Sequence, residues 1–327
     1  MATSKDVAKL AGVSHTTVSR AFRKDPRVKA ETYELIMKIS EEIGYVPNQI
    51  ASSLRKRKTN TICFIVSLSF NPLFLELTRI IETELAKKGY RLLISFDNED
   101  SDLQWSILQS LSSFQVDCVI FTPLVKNNAQ REKMGKWMKQ TGIHFIQLVS
   151  DVYDDITSFN FDDNVGSYIG TKYLLTNGHK NILMAGGVNR IFGYNRAYSE
   201  FGVTPKFPYY DVTDITDDET YENIKNAILT QKPTAIFAIS TSITYMVIEA
   251  LSELKIKFPK DISLLTFDDA RWQKLLKISA IGHPVEAFAN AIVREVLNLE
   301  NGNNQYPTNT TFKPFLIERN SVKQYTP

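Results

Sequence analysis

The sequence predicts an α/β protein: a three-helix N-terminal head of helix-turn-helix type, followed by a larger two-lobed core built on parallel sheets. The first segment shows helical periodicity and no strand pattern, whereas from Thr61 onward apolar runs of strand length alternate with helical stretches. Continuous apolar strands separated by helices indicate parallel sheets covered on both faces, and there are too many of them for one sheet of usual size. At 327 residues the chain has room for one small domain and a larger bilobed one.

In the head, Asp6 to Leu10 sets apolar residues at helical spacing behind the candidate caps Thr3 and Ser4. Ala11-Gly12-Val13 makes a tight turn. Ser14 caps a second helix running to about Phe22, before the break at Asp25-Pro26. Ala30 to Ile43 is the third helix, with Tyr33, Ile36, Met37, Ile39 and Ile43 as its apolar stripe and Gly44 as its stop. Residues 45–60 read as a conditional hinge. Tyr45-Val46-Pro47-Asn48 leads into Gln49 to Leu54, less than two helical turns and marginal in isolation, and then into Arg55-Lys56-Arg57-Lys58.

In the core, strands are expected at Thr61–Leu68, Tyr90–Ser95, Cys118–Thr122, His144–Leu148, Asn181–Ala185, Ala235–Ile239 and Ile262–Phe267. Helices such as Leu73–Gly89, Ser101–Phe114, Val165–Asn177 and Thr241–Leu254 lie between them. Ligands of such sheets bind at the carboxyl ends of the strands, here between the lobes.

The net charge of +2 conceals an asymmetry. Residues 1–60 hold seven Lys and five Arg against two Asp and four Glu, a surplus of six positive charges that leaves −4 on the remainder. A basic head on a mildly acidic body suits a polyanionic partner at one end. No apolar run approaches the roughly 18 residues of a membrane span, and the N-terminus lacks a basic-then-apolar leader, so no membrane partner and a cytoplasmic location are expected. Cys63 and Cys118 sit inside apolar runs and read as buried thiols. The four His (15, 144, 179, 283) are dispersed, and Gly186-Gly187 lacks the further glycines of a dinucleotide fingerprint. No cofactor, metal or enzymatic activity is expected.

The chemistry concentrates in residues 3–22. Val7, Ala8 and Leu10 supply one packing face, Ala11-Gly12 the turn, and Val13, Val18 and Ala21 the opposing face. That leaves His15, Thr16, Ser19 and Arg20 pointing outward near the start of the second helix, where major-groove readers place base contacts. His15 and Thr16 can donate to and accept from base edges, and Arg20 can contact guanine in bidentate fashion. Thr3, Ser14 and Thr17 suit phosphate clamps.

This string resembles the N-terminal domain of the lactose/galactose repressor family, and Tyr45-Val46-Pro47-Asn48 with Ala51 and Leu54 is similar to that family's hinge helix. Asn177-Gly178-His179-Lys180-Asn181-Ile182, Lys232-Pro233-Thr234-Ala235-Ile236-Phe237, and Pro259-Lys260-Asp261-Ile262-Ser263 through Phe267-Asp268-Asp269 resemble later family signatures in the same order. The resemblance implies a core like that of periplasmic binding proteins and a homodimer on pseudo-palindromic double-stranded operator DNA, held together by first-lobe helices such as Leu73–Gly89. It further implies a small-molecule effector between the lobes. It gives residues 1–47 as head and 48–60 as hinge helix and basic linker. The core, 61–327, has a first lobe of about 61–159 and 284–312 and a second of about 160–283 and 313–327. Asn48 and Ala51 then belong to the DNA-binding hinge, Leu54 becomes a minor-groove wedge, and Arg55 with its neighbours neutralises phosphates.

Matched residue by residue, the family's effector contacts fall on Ser67, Leu73 and Phe74 in the first lobe, and on Arg190, Phe192, Arg196, Asp268 and His283. An Asp with an Arg suits a sugar; two Arg with an aromatic would also suit a phosphate or a purine. The chain departs from the family at Ser240-Thr241, where Asn-Asp is usual, and at Val212, where a stacking aromatic is frequent, with Tyr209 or Tyr210 as substitutes. A sugar effector, a purine or phosphorylated effector, and a vestigial cleft therefore all stand as readings.

Overall fold

The computed structural model of the chain describes residues 2–46, 59–67, 71–186, 190–205, 210–211, 217–300 and 307–326. Asn48, Ala51, Leu54 and Arg55 of the expected hinge lie outside the described residues, as do Tyr209 and Val212. The chain divides into two compact units, Met1–Thr59 and Asn60–Pro327.

The first unit contains α1 (Ser4–Leu10), α2 (His15–Ala21) and α3 (Ala30–Glu42). Thr3 starts α1 through a reciprocal cap: its amide donates to Asp6 Oδ2 at 2.8 Å, and its hydroxyl accepts the Asp6 amide at 3.4 Å. Gly12 turns the chain between α1 and α2 at φ +64°, a conformation that a Cβ would strain. Val7, Val18, Ala21 and Ile36 are wholly buried between the helices, with Val13, Met37 and Ile43 packed around them. The unit is too small to be stable without this shared core.

The second unit holds two six-stranded sheets. The first combines β1 (Thr61–Val66), β2 (Arg91–Phe96), β3 (Cys118–Phe121), β4 (His144–Leu148), β5 (Thr157–Phe161) and β11 (Asn309–Phe312), in the order β11-β5-β4-β3-β1-β2. The second combines β6 (Ile182–Gly186), β7 (Tyr210–Asp211), β8 (Ala235–Ala238), β9 (Ser263–Phe267), β10 (Ser279–Gly282) and β12 (Phe315–Ile317), in the order β12-β10-β9-β8-β6-β7. All pairings are parallel except β10 with β12.

The first sheet is flanked by α4 (Pro72–Ala86), α5 (Ser101–Phe114), α6 (Asn128–Thr141) and α12 (Val285–Glu300). The second is flanked by α7 (Asp163–Thr176), α8 (Ile191–Glu200), α9 (Asp217–Gln231) and α10 (Thr241–Glu253), with α11 (Arg271–Leu275) following β9. Cys63 and Cys118 are buried free thiols whose side chains enter opposite faces of the first sheet.

The chain passes between the lobes three times: at Asp162 after β5, at His283-Pro284 after β10, and at Lys313-Pro314 after β11. Passages of one or two residues leave no slack, so the carboxyl ends of the two sheets face each other across a cleft. Among the described residues, five strands escape the expected set: β5, β7, β10, β11 and β12. They are short or polar (Asn309-Thr310-Thr311-Phe312, for example), and their pairing comes from the tertiary fold rather than from an apolar run.

Candidate functional site

In the head, the side that α2 turns away from Val18 and Ala21 carries exposed His15 and Thr16, with Ser19 and Arg20 half-buried one turn on. Ser14 accepts the Thr17 amide at 3.1 Å, and the Ser14 and Thr17 hydroxyls share a bond of 2.9 Å. One bond between two hydroxyls uses one proton, so the pair retains an O–H that can donate outward.

Ser19 Oγ accepts from Arg23 Nη2 at 2.7 Å while Arg23 Nε donates to the Ser19 carbonyl at 3.1 Å. The Ser19 proton therefore stays available, and Arg23 adds a cation that the sequence reading passed over. Its i,i+4 spacing from Ser19 was the available signal. Thr3 is the expected cap of α1. Its hydroxyl donates to Asp6 Oδ2 at 2.7 Å, so it serves as the cap of α1 and reaches a phosphate only by giving up that bond.

In the core, the second lobe gathers Arg190, Asp268 and His283 with partners that no local pattern marks. Asp268 follows β9 at φ +67°, a conformation that Asp tolerates better than most residues, and only 6% of it is exposed. Thr241, the first residue of α10, donates to Asp268 Oδ2 at 3.3 Å. His283 Nε2 lies 3.3 Å from Asp268 Oδ1, without the alignment of a full hydrogen bond, and Asp268 Oδ1 and His283 Nδ1 are both buried without a hydrogen-bond partner. Burial opposes the charge on Asp268, but His283, the Arg190 charge and the Thr241 hydroxyl outweigh it and hold the carboxyl below its ordinary range. The His283 ring packs tilted at 4.2 Å against Phe161, which in turn stacks at 4.2 Å on Phe288 of α12.

Arg190 has three of its five N–H groups and one face engaged. Its Nε and Nη2 donate to Asp163 Oδ2 at 3.1 and 2.9 Å, its Nη1 donates to the Ile239 carbonyl, and its plane lies 4.0 Å over the Phe267 ring. Gly193 permits this placement. A Cβ there would lie 2.0 Å from the Asn164 carbonyl oxygen and 2.6 Å from the Tyr168 amide nitrogen, so only glycine lets α8 rest directly on α7.

Arg196 does not join the group. It projects from the outer side of α8, donates to Glu200 at 3.1 Å and lies 4.4 Å over the Tyr168 ring. Phe192 stands 73% exposed in the first turn of α8. In the first lobe, Phe74 opens the buried stripe Phe74, Leu77, Ile81 and Leu85 of α4 and belongs to the apolar core rather than to a contact loop. Leu73 beside it is half-buried, its amide held by Asn71 Oδ1 at 2.9 Å.

Ser67 is buried after β1 and donates to Asp97 Oδ2 at 2.8 Å, so it can offer a ligand only lone pairs. Asp97 also accepts from Gln104 Nε2 at 2.6 Å, and Gln104 Oε1 accepts the Leu124 amide at 2.9 Å. Among the described residues, no group of three or more His, Cys, Asp or Glu gathers to hold a metal ion, and no helix is long and apolar enough to cross a membrane.

Residues 3–48 match the family model for bacterial regulatory proteins of the lacI family, and residues 171–322 match that for periplasmic binding protein-like domains. The chain is 30% identical to the HTH-type transcriptional repressor PurR of Aliivibrio salmonicida over 82% of its own length and 83% of that protein's. It is also 30% identical to the ribose operon repressor of Haemophilus influenzae, over 98% of its own length and 99% of the relative's. A crystal structure of the lac repressor dimer bound to operator and the anti-inducer ONPF shares the fold with a TM-score of 0.82 at 20% identity, covering 98% of this chain and 99% of that one.

Proposed function

The chain belongs to the lacI family of bacterial regulatory proteins, and from that premise we propose that it represses transcription as a homodimer on a pseudo-palindromic operator, under control of a small uncharged polyhydroxy metabolite held between its lobes. It is a DNA-binding transcription regulator, not an enzyme. The observation that carries the DNA reading is α2: a capped helix, buried on one side by Val18 and Ala21, that offers His15, Thr16, Ser19 and Arg20 on the other. One such helix covers a half-site, so the operator calls for two copies. The edge strand β2 supports self-association, because Leu93, Ile94 and Phe96 are exposed along it and Leu75 is exposed on the adjacent α4.

The effector reading rests on Asp268 Oδ1 and His283 Nδ1, buried beside each other without a full hydrogen bond and so available to a polar ligand. Sugar hydroxyls, which both donate and accept, suit a carboxylate oxygen and a ring nitrogen in either tautomer. A coupling of about 1–3 kcal/mol between cleft and operator corresponds to a 5–150-fold change in DNA affinity. Mobility-shift titration of palindromic against random duplexes, with and without a panel of sugars, tests both halves. No preference for any palindrome would remove the operator reading, and no small-molecule dependence would remove the effector reading.

A further inference from the structure

We propose that Asp163 sets the ligand class of the cleft: by holding Arg190 it makes the site refuse anions and accept uncharged hydrogen-bond donors. The inference rests on the cleft being the effector site and goes beyond it to the chemistry admitted there. A free guanidinium at the carboxyl ends of β6 and β8 would be an anion receptor, planar and always charged. In this chain that guanidinium is not free. Asp163, the first residue of α7, takes two of its N–H groups on a single oxygen, the Ile239 carbonyl takes a third, and Phe267 covers its face at 4.0 Å.

Both partners are largely shielded from solvent, with side-chain exposures of 19% for Arg190 and 25% for Asp163, so the pair is shielded from salt more than a surface pair would be. The pair is neutral as a unit. Among the described residues, the groups beside that pair left without a hydrogen-bond partner are the Asp268 Oδ1 and the His283 Nδ1, and two of the five Arg190 N–H groups stay unengaged but sit against the Asp163 charge. In the first lobe, the Ser67 hydroxyl donates its hydrogen bond to Asp97 and so has only lone pairs left to offer. With the Arg190–Asp163 pair neutral, the Asp268 carboxylate and the Asp97 carboxylate behind Ser67 leave the described groups negative, a setting that repels a phosphate and favours hydroxyl or N–H donors.

The test uses the full chain and inorganic phosphate as the probe, titrated at constant ionic strength and read by thermal unfolding and calorimetry. Wild type and Arg190→Gln should respond alike, since both share the basic head and neither offers a free guanidinium. Asp163→Asn should bind phosphate at least ten-fold more tightly than Asp163→Asn/Arg190→Gln. Asp163→Ser gives a second route to the released guanidinium if the Asn variant does not fold. A larger phosphate response in wild type than in Arg190→Gln overturns the proposal, as does an Asp163 variant that matches its double mutant. A panel of neutral monosaccharides and polyols on wild type and Asp268→Asn separates the two levels. An Asp268-dependent response without any phosphate gain in the Asp163 variants removes only the role of Asp163, whereas no Asp268-dependent response removes the cleft reading beneath it.

Discussion

His283 Nε2 lies 3.3 Å from Asp268 Oδ1, which joins a passage between the lobes to a buried carboxylate that keeps one oxygen without a full hydrogen bond. The same imidazole packs on Phe161, one residue before another passage. A ligand that draws on Asp268 therefore acts on groups already seated at two of the three connections.

Asp268→Asn keeps the size of the side chain and its tolerance of positive φ but removes the charge. Loss of a charged hydrogen bond costs about 1.5–3 kcal/mol, so effector affinity should fall roughly 10–150-fold, with operator binding by the ligand-free protein retained. Isothermal titration and mobility shifts on one preparation check both expectations.

Arg20→Ala should cost about 1–3 kcal/mol of operator binding and relax specificity at one base position. Binding to an operator set varied one position at a time gives the answer. A uniform loss on every sequence would make Arg20 a phosphate contact.

Gly193→Ala should destabilise the second lobe, because the new Cβ meets backbone of α7 that cannot rotate away. Overpacking of this kind costs about 1–3 kcal/mol, and lifting α8 should also disturb Arg190. A lowered melting temperature together with weakened effector binding is the expected pair of results.

His179 is wholly buried between Thr234 Oγ1 at 3.1 Å and the Lys323 carbonyl at 2.9 Å, and burial lowers its pKa below the ordinary 6.5. A depressed folded pKa favours the neutral ring, so its contribution is complete above about pH 6.5 and is lost as pH falls through the folded value. Melting temperature should decline from pH 7 to pH 5. In His179→Asn, less stable at pH 7, that part of the slope should vanish.

Much of the architecture was legible because local signals agreed with the tertiary fold. Ser14 caps α2, Gly12 turns left-handed, and His144–Leu148 is apolar enough to declare itself a strand. The cleft was legible only in part. The resemblance names Asp268 and His283, which the fold brings within 3.3 Å of each other, yet the Asp163 that holds Arg190 lies 27 residues away from it with no periodicity linking them. Arg196 and Phe74 show the converse. Arg196 lies one turn before Glu200 and is drawn to it, and Phe74 continues the i, i+3, i+7 stripe of α4, so helix geometry decided both.

Both native thiols are sealed within the first lobe, and burial pushes Cys63 up to about 12, so it is almost wholly protonated at neutral pH. A maleimide dye should therefore ignore them and react with any cysteine introduced at the surface. One such label on each lobe, attached without first stripping the sequence of its own sulfhydryls, would let energy transfer follow the opening and closing of the cleft in solution.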